Sequence, residues 1–501
     1  MTEKMIIAYV HDPPAKQSIE TRWREPKFLF EQGFTDFVIA DQMTGCCSLV
    51  MDEAEKQISE PALEELNHRL QETLQSGLRP WVMEDLFTLS KEVSQTTNGC
   101  PHDNQTWQAI CANLQALFER LPDLRGIIFR FGETFETERW ASRIDPFSCQ
   151  CEICNRLGRI GALQRIIAEL EELVCEQLGM YCVIRMWDLG DDGFHSDSEQ
   201  QSSALANYNE NSRLVVSVKH TASDYWRFQP WNNSIPLDGP RRIIEFQCER
   251  EYEFLGLIPN WLGNHWATGF PEVDPPKSVG LANSRPPNWA GSYIIPRGGG
   301  WSEDVVSDDF WSAINSFAIV ALTKNPERDA DEILDSFLVK QGFDHDESRA
   351  SFATLIQMSS DLVLHLRYLP TFQGISNQIW MPSNNWFRDD TFVPGACAEI
   401  ANLVSNEGKS QKFRDERTFA SIIARTQLTR AEALFDGGQF TNHPKSGFIL
   451  ESYQWATKFA ELSESMWDEL LSSSPLNRDE AKTIIESHLA KKPLRPLRCL
   501  D

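Results

Sequence analysis

Basic residues are scarce in this chain: 47 Lys and Arg stand against 73 Asp and Glu in 501 residues, a formal net charge of -26. General affinity for nucleic acid or for anionic membranes needs basic surface, so neither is an expected partner. Long hydrophobic runs are lacking as well, and no segment approaches the ~20 uninterrupted apolar residues of a membrane span. There is no Walker loop, no G-x-G-x-x-G after a strand, no G-x-S-x-G elbow and no H-E-x-x-H, which leaves nucleotide, serine-hydrolase and zinc-hydrolase readings without a foothold. The first ten residues, Met1 to Val10, are too short in their apolar part for a leader and turn to His11-Asp12-Pro13-Pro14 without a small-residue cleavage pattern. They read as a first strand, and a cytoplasmic location is expected. There the 12 Cys are expected as free buried thiols or metal ligands, not disulfides.

What is present is aromatic surface. Of the residues 11% are aromatic, including 16 Trp, and flat apolar faces stack on sugar rings as well as filling cores. Domains seldom exceed ~250–300 residues around one core, so two are expected.

Short apolar runs that end in charge recur along the first part of the chain. They are Met5 to Tyr9, Phe37 to Ala40, Arg79 to Met83, Arg125 to Phe131, Tyr181 to Trp187, Leu214 to Lys219, Arg242 to Gln247 and a weaker Ser278 to Ala282. Amphipathic segments separate most of them: Leu63, Leu66, Leu70 and Leu74 lie at helical spacing with Gly77 as the C-cap, and a further helix is expected over Thr106 to Leu121. Buried strands alternating with helices, with polar residues at the strand ends, predict a (β/α)8 TIM barrel over 1–305. From Ser307 onward the periodicity is helical, which predicts a C-terminal all-α domain over 306–501.

The carboxylates at the strand ends draw the chemistry. A glycosidic bond is broken by two carboxyl groups, one protonated to donate to the leaving oxygen, the other ionised to activate water or attack carbon. Glu133, after Gly132 and beside Phe131 and Phe135, suits the acid, because apolar surroundings raise a carboxyl pKa. Asp224 and Glu251, at the ends of the sixth and seventh strands, suit the second role, with Glu245 and Glu249 on the same expected rim. Any single acid in so acidic a protein is ordinarily solvated surface; the weight lies in three falling on one rim.

Here the sequence resembles a family. Lys219, four residues, Asp224 and then Phe228-Gln229-Pro230 resembles the Lys-Asn-Gly-Pro-x-Asp-Phe-Gln segment of family 67 glycoside hydrolases, the α-glucuronidases. Glu245-Phe246-Gln247-x-x-x-Glu251-Tyr252 resembles that family's Glu-Phe-Gln-Ile-Thr-Gln-Glu-Tyr. Trp289-Ala290-Gly291, the Phe310 to Asn315 segment, and Asn325-Pro326 through Glu332-Ile333 follow as its later segments do. The resemblance implies an inverting hydrolase that removes a uronic acid from an oligosaccharide. It implies Glu133 as general acid, and Asp224 and Glu251 as the pair that holds and activates water. Arg185 and Lys219 match basic residues that face the sugar carboxylate, the alternative being salt bridges to neighbouring acids. A homodimer through the helical domain is a further implication. The sequence departs from the family around the acid, in Phe131-Gly132-Glu133-Thr134, and at His220-Thr221-Ala222-Ser223, which weakens the claim to the same substrate.

Cys149-x-Cys151-x-x-Cys154 places three thiols within six residues, and Cys100, in Asn98-Gly99-Cys100-Pro101, is the best fourth. The arrangement is locally similar to that of family 42 β-galactosidases. Four thiolates wrap a structural Zn2+ and leave no open position, so no catalytic cofactor is expected; free thiols packing a loop are the alternative. Trp187 and Trp226 are the favoured stacking residues against core packing, with Trp261, Trp266, Trp289 and Trp301 also near strand ends, and His220 and His265 are the histidines expected to line a substrate. The readings open at this point are a uronidase, an exo-glycosidase for a neutral sugar, and a carbohydrate-binding barrel without catalysis.

Overall fold

The structure is a computed structural model that describes residues 4–10, 21–40, 53–90, 99–131, 141–143, 145–187, 193–210, 213–249, 252–275, 278–297, 308–376, 386–388 and 390–500. Eight parallel strands close a barrel: β1 Met5–Ala8, β2 Asp36–Ala40, β3 Arg79–Asp85, β4 Gly126–Arg130, β5 Tyr181–Arg185, β6 Leu214–Lys219, β7 Arg241–Gln247 and β8 Trp289–Ile295. Each pairs with its neighbours in sequence, and β8 closes on β1. With the helices between strands and the helical region that follows, this is the expected (β/α)8 barrel plus all-α architecture.

The eighth strand lies later than its expected place. Ser278 to Ala282 forms turns, because Gly280, at φ +84°, brings the backbone so close to Ala267 that a Cβ would stand 2.3 Å from its carbonyl oxygen. The strand is instead the fully buried run Trp289–Ile295. Its Gly291 matters more than its motif: at φ +145° its missing Cβ would fall 1.8 Å from the Met5 carbonyl oxygen, next to the register shift between Trp289 and Gly291. Only glycine lets the barrel close there.

Alternation along the strands sorts side chains into two cores. Ile243, Val183, Val215, Met83 and Ile128 point into the barrel, while Ile244, Ile184, Val216, Val82 and Ile127 face the surrounding helices. Two residues further along, the inward series arrives at Glu245, Arg185, Ser217, Asp85 and Arg130. The polar mouth is therefore a consequence of strand parity.

The expected boundary near residue 305 lies outside the described residues; β8 before it and the helix Phe310–Lys324 after it are described. That helix packs on the barrel, with Asn315 bonding the Cys248 and Asn260 carbonyls and the Leu262 N–H, and Thr323 meeting Ser292. The long helices Ser410–Phe435 and Ser446–Ser472 pair beyond it. The helical region also contains three two-residue strands, Phe387–Arg388, Thr391–Phe392 and Arg498–Cys499, too short to read from sequence.

Candidate active site at the C-terminal mouth

Arg185 grips Glu245 with both edges of its fork, Nε to Oε1 at 2.9 Å and Nη2 to Oε2 at 2.7 Å, and Ser217 Oγ donates to the same carboxylate at 2.7 Å. Burial alone would push the Glu245 carboxyl up, but Arg185, Lys219 and Ser217 together hold it below the usual range. Lys219 Nζ donates to Asp224 Oδ1 at 2.6 Å, Tyr252 Oη to Oδ2 at 2.7 Å, and the Tyr225 N–H to Oδ1 at 2.9 Å. Burial again raises the Asp224 carboxyl, and Lys219 with these hydrogen bonds overcomes it, so Asp224 is ionised at neutral pH. Such a carboxylate is fitted to act as a base or to hold water, not to donate a proton.

Both cations named from the sequence thus carry carboxylate partners within the protein. Lys219 also stands 3.4 Å from the centre of the Trp187 ring and 4.8 Å from that of Tyr225, a cation–π seat that fixes the position of its ammonium group. Trp187 meets the buried His195 edge to face at 5.1 Å, and its indole N–H is buried with no hydrogen-bond partner among the described residues. An unsatisfied donor here is suited to a ligand oxygen.

The remaining expected residues distribute unevenly. His220 is buried on Phe246, ring centres 5.0 Å apart, with Nδ1 3.1 Å from the Glu245 carbonyl. Trp226 is fully buried between Tyr252 and Tyr368. His265 stacks on Phe270 and meets Ser360 Oγ at 2.5 Å, in the seam with the helical region. Trp289 begins β8 and so stands at the opposite end of the barrel from these residues. Glu133 and Glu251 lie outside the described residues, as does Trp301.

Three groups were missed. Asp85 and Arg130, register partners on β3 and β4, form a second buried fork at 3.0 and 2.6 Å, and strand parity would have found them. His195 is buried, which lowers its pKa to about 4 and keeps it neutral; its Nε2 donates to the Thr221 carbonyl at 2.8 Å. Nothing in its loop sequence signals this. Glu249, noticed on the rim but given no role, is the most perturbed carboxyl among the described residues: burial pushes it up to about 8, with Arg297 Nε at 3.8 Å as its ion-pair partner.

Because the folded protein keeps the Glu249 proton where the unfolded chain has lost it, stability falls as pH rises from about 4.5 to about 8. Glu249→Gln removes that fall. The variant is expected to stay within about 1 kcal/mol of wild type in denaturant unfolding at pH 5 and to exceed it by up to about 4 kcal/mol at pH 8; an equal difference at both pH values contradicts the assignment.

The four cysteines converge as expected. The Sγ atoms of Cys100, Cys149, Cys151 and Cys154 all lie within 4.8 Å of one another, with Cys100 at 3.6 Å from both Cys151 and Cys154. A tetrahedron of ~2.3 Å metal–sulfur bonds has edges of about 3.8 Å, so the set can hold one ion. Cys151 caps the helix Glu152–Leu170, and its sulfur accepts from the Cys154 N–H at 3.3 Å.

No protein-family profile matches the sequence and no curated protein matches it, so the likeness to families 67 and 42 remains a likeness of motifs. Solved structures do match. One described as a GH138 enzyme targeting pectin rhamnogalacturonan II superposes with a TM-score of 0.51 at 11% identity, over 98% of this chain and 62% of that one. A mutant of the Thermobaculum terrenum O-GlcNAc hydrolase has a TM-score of 0.42 at 9% identity over 98% and 88% of the two chains. CpGH84B has a TM-score of 0.42 at 8% identity over 97% and 73%. The chain thus spans less than two thirds of the first of these, and what the first likeness shows is the fold.

Proposed function

We propose that this chain is an exo-acting glycoside hydrolase of inverting stereochemistry that releases a uronic acid from an oligosaccharide. Glu133 serves as general acid, and Asp224 with Glu251 holds and activates water. The observation that carries the proposal is Asp224, held ionised at the barrel mouth by Lys219 and Tyr252. The unsatisfied Trp187 N–H supplies a donor for a sugar oxygen, and Lys219 has two further protons with which to receive the sugar carboxylate. The first solved structure it superposes on is described as a GH138 enzyme targeting a pectin, which agrees with the general class.

A neutral-sugar exo-glycosidase is the second reading, favoured by one observation: Arg185 is spent on Glu245, leaving Lys219 as the cation for a substrate carboxylate. A panel of aryl α- and β-glycosides decides. Turnover of uronides, abolished by Glu133→Gln, is the expected result; turnover of neutral glycosides alone supports the second reading, and none at all points to a sugar-binding barrel without catalysis. We further propose that the cysteine cluster holds one structural Zn2+, for which elemental analysis should find one zinc per chain, lost in Cys154→Ser.

A further inference from the structure

At the other end of the barrel the strands begin with cations. Lys4 precedes β1, Arg125 precedes β4 and Arg241 opens β7. In a protein with 26 excess negative charges these three half-buried groups have no carboxylate partner among the described residues. Lys4 Nζ is bonded to the Trp289 carbonyl and lies 4.3 Å from the Trp289 ring centre. Arg125 and Arg241 both lie over the Tyr181 ring, at 4.3 and 5.6 Å from its centre, and Arg241 Nη1 donates to Tyr181 Oη at 3.3 Å. Arg125 Nε is buried without a hydrogen-bond partner among the described residues. Asp36 at this mouth is already taken by Arg79 and Trp81, and Arg285 by Glu327. Asp123 and Asp238, on adjoining loops, pair with none of the three.

Cations gathered without counter-charge repel one another. Lys4 registers this: burial first, then Arg241 and Arg285, lower its pKa to about 8. A barrel needs no such cluster for packing, since methionine or glutamine would fill the same space without the repulsion. What the cluster offers is a set of donors on a rigid aromatic base, with two guanidinium forks of the kind that match oxyanions.

We propose that the N-terminal mouth of the barrel binds a small ligand carrying two or more oxyanion groups, phosphoryl or carboxylate, received by Lys4, Arg125 and Arg241. Strands of this length place it about 20 Å from the opposite mouth, and the packed interior lies between, so this ligand is not the substrate of the Asp224 site.

The test is calorimetric titration of the full chain with inorganic pyrophosphate and with tricarballylate, at ionic strength matched with sodium chloride. Saturable binding of one ligand per chain is expected, weakened at least tenfold in Arg241→Gln and in Arg125→Gln, with circular dichroism and melting temperature reporting that each variant is folded. The stronger of the two probes identifies the group. Binding an anion favours charged Lys4, so at pH 8 wild type should take up more protons on binding than Lys4→Gln, and affinity should fall as pH rises through 8. Heats no larger than those of the salt control overturn the proposal, as does affinity unchanged in both arginine variants, or binding only of a poly-glutamate peptide, which would make the mouth a docking face for protein.

Discussion

Asp224→Asn is expected to lower kcat on the responsive aryl glycoside about a thousandfold, within the range that a positioned base supplies. An amide has nearly the shape of the carboxylate but cannot take a proton from water, so KM should change far less than kcat. Tyr252→Phe provides the graded version. It removes one of the hydrogen bonds that favour the ionised form of Asp224, so the Asp224 pKa rises. In wild type the carboxyl is held below its ordinary 3.8; activity that depends on the ionised form is therefore retained until pH falls below that value, and the acid limb of kcat/KM should move upward in Tyr252→Phe. The same sign governs stability: the contribution of Asp224 is present above the unfolded pKa and lost as pH falls through the folded one. Retention of full turnover in Asp224→Asn removes Asp224 from the chemistry, whatever the fate of Glu133.

The distribution of legible and illegible features has a physical cause. Seven of the strands were readable because a buried parallel strand is a short apolar run whose polarity changes where it leaves the barrel. Strand parity carried Arg185, Lys219 and Glu245 to one mouth together. What sequence could not assign was which cation takes which acid. Lys219 is the register partner of Glu245, yet its ammonium turns to Asp224, because the chain folds back through the Thr221–Trp231 bridge and returns the carboxylate to the mouth. Arg185 reaches across β6 instead. Trp226 looked like a stacking residue because it follows a strand end; its burial comes from Tyr368, more than a hundred residues later, a non-local contact that no period in the sequence reveals. Trp289 belongs to the other mouth because the eighth strand starts at it, beyond the turns of Ser278 to Ala282 that resemble a strand in one dimension.

Arg185→Met is the substitution with the largest expected effect on stability, and it separates two uses of the same residue. Glu245 is fully buried and spends its oxygens on Arg185 and Ser217. Removing one partner of such a pair leaves an uncompensated charge, at a cost of about 3–5 kcal/mol at pH 7. The sign of the pH dependence then reverses. In wild type the depressed Glu245 pKa contributes stability above the unfolded value of about 4.5, lost as pH falls through the folded value. In Arg185→Met burial dominates and raises that pKa, so the variant loses stability as pH rises above about 4.5, and its deficit against wild type should be larger at pH 7 than at pH 5. Arg185→Met/Glu245→Gln should recover much of the deficit, because no charge remains to be solvated. Denaturant unfolding of wild type, Arg185→Met, Glu245→Gln and the double variant at both pH values closes the cycle. If the single variant is as stable as wild type at pH 7, the fork is no structural pair, and Arg185 becomes available to a ligand; if the deficit appears and the double variant recovers it, Arg185 is a structural partner of Glu245, and the proposed uronidase would have to receive its sugar carboxylate elsewhere.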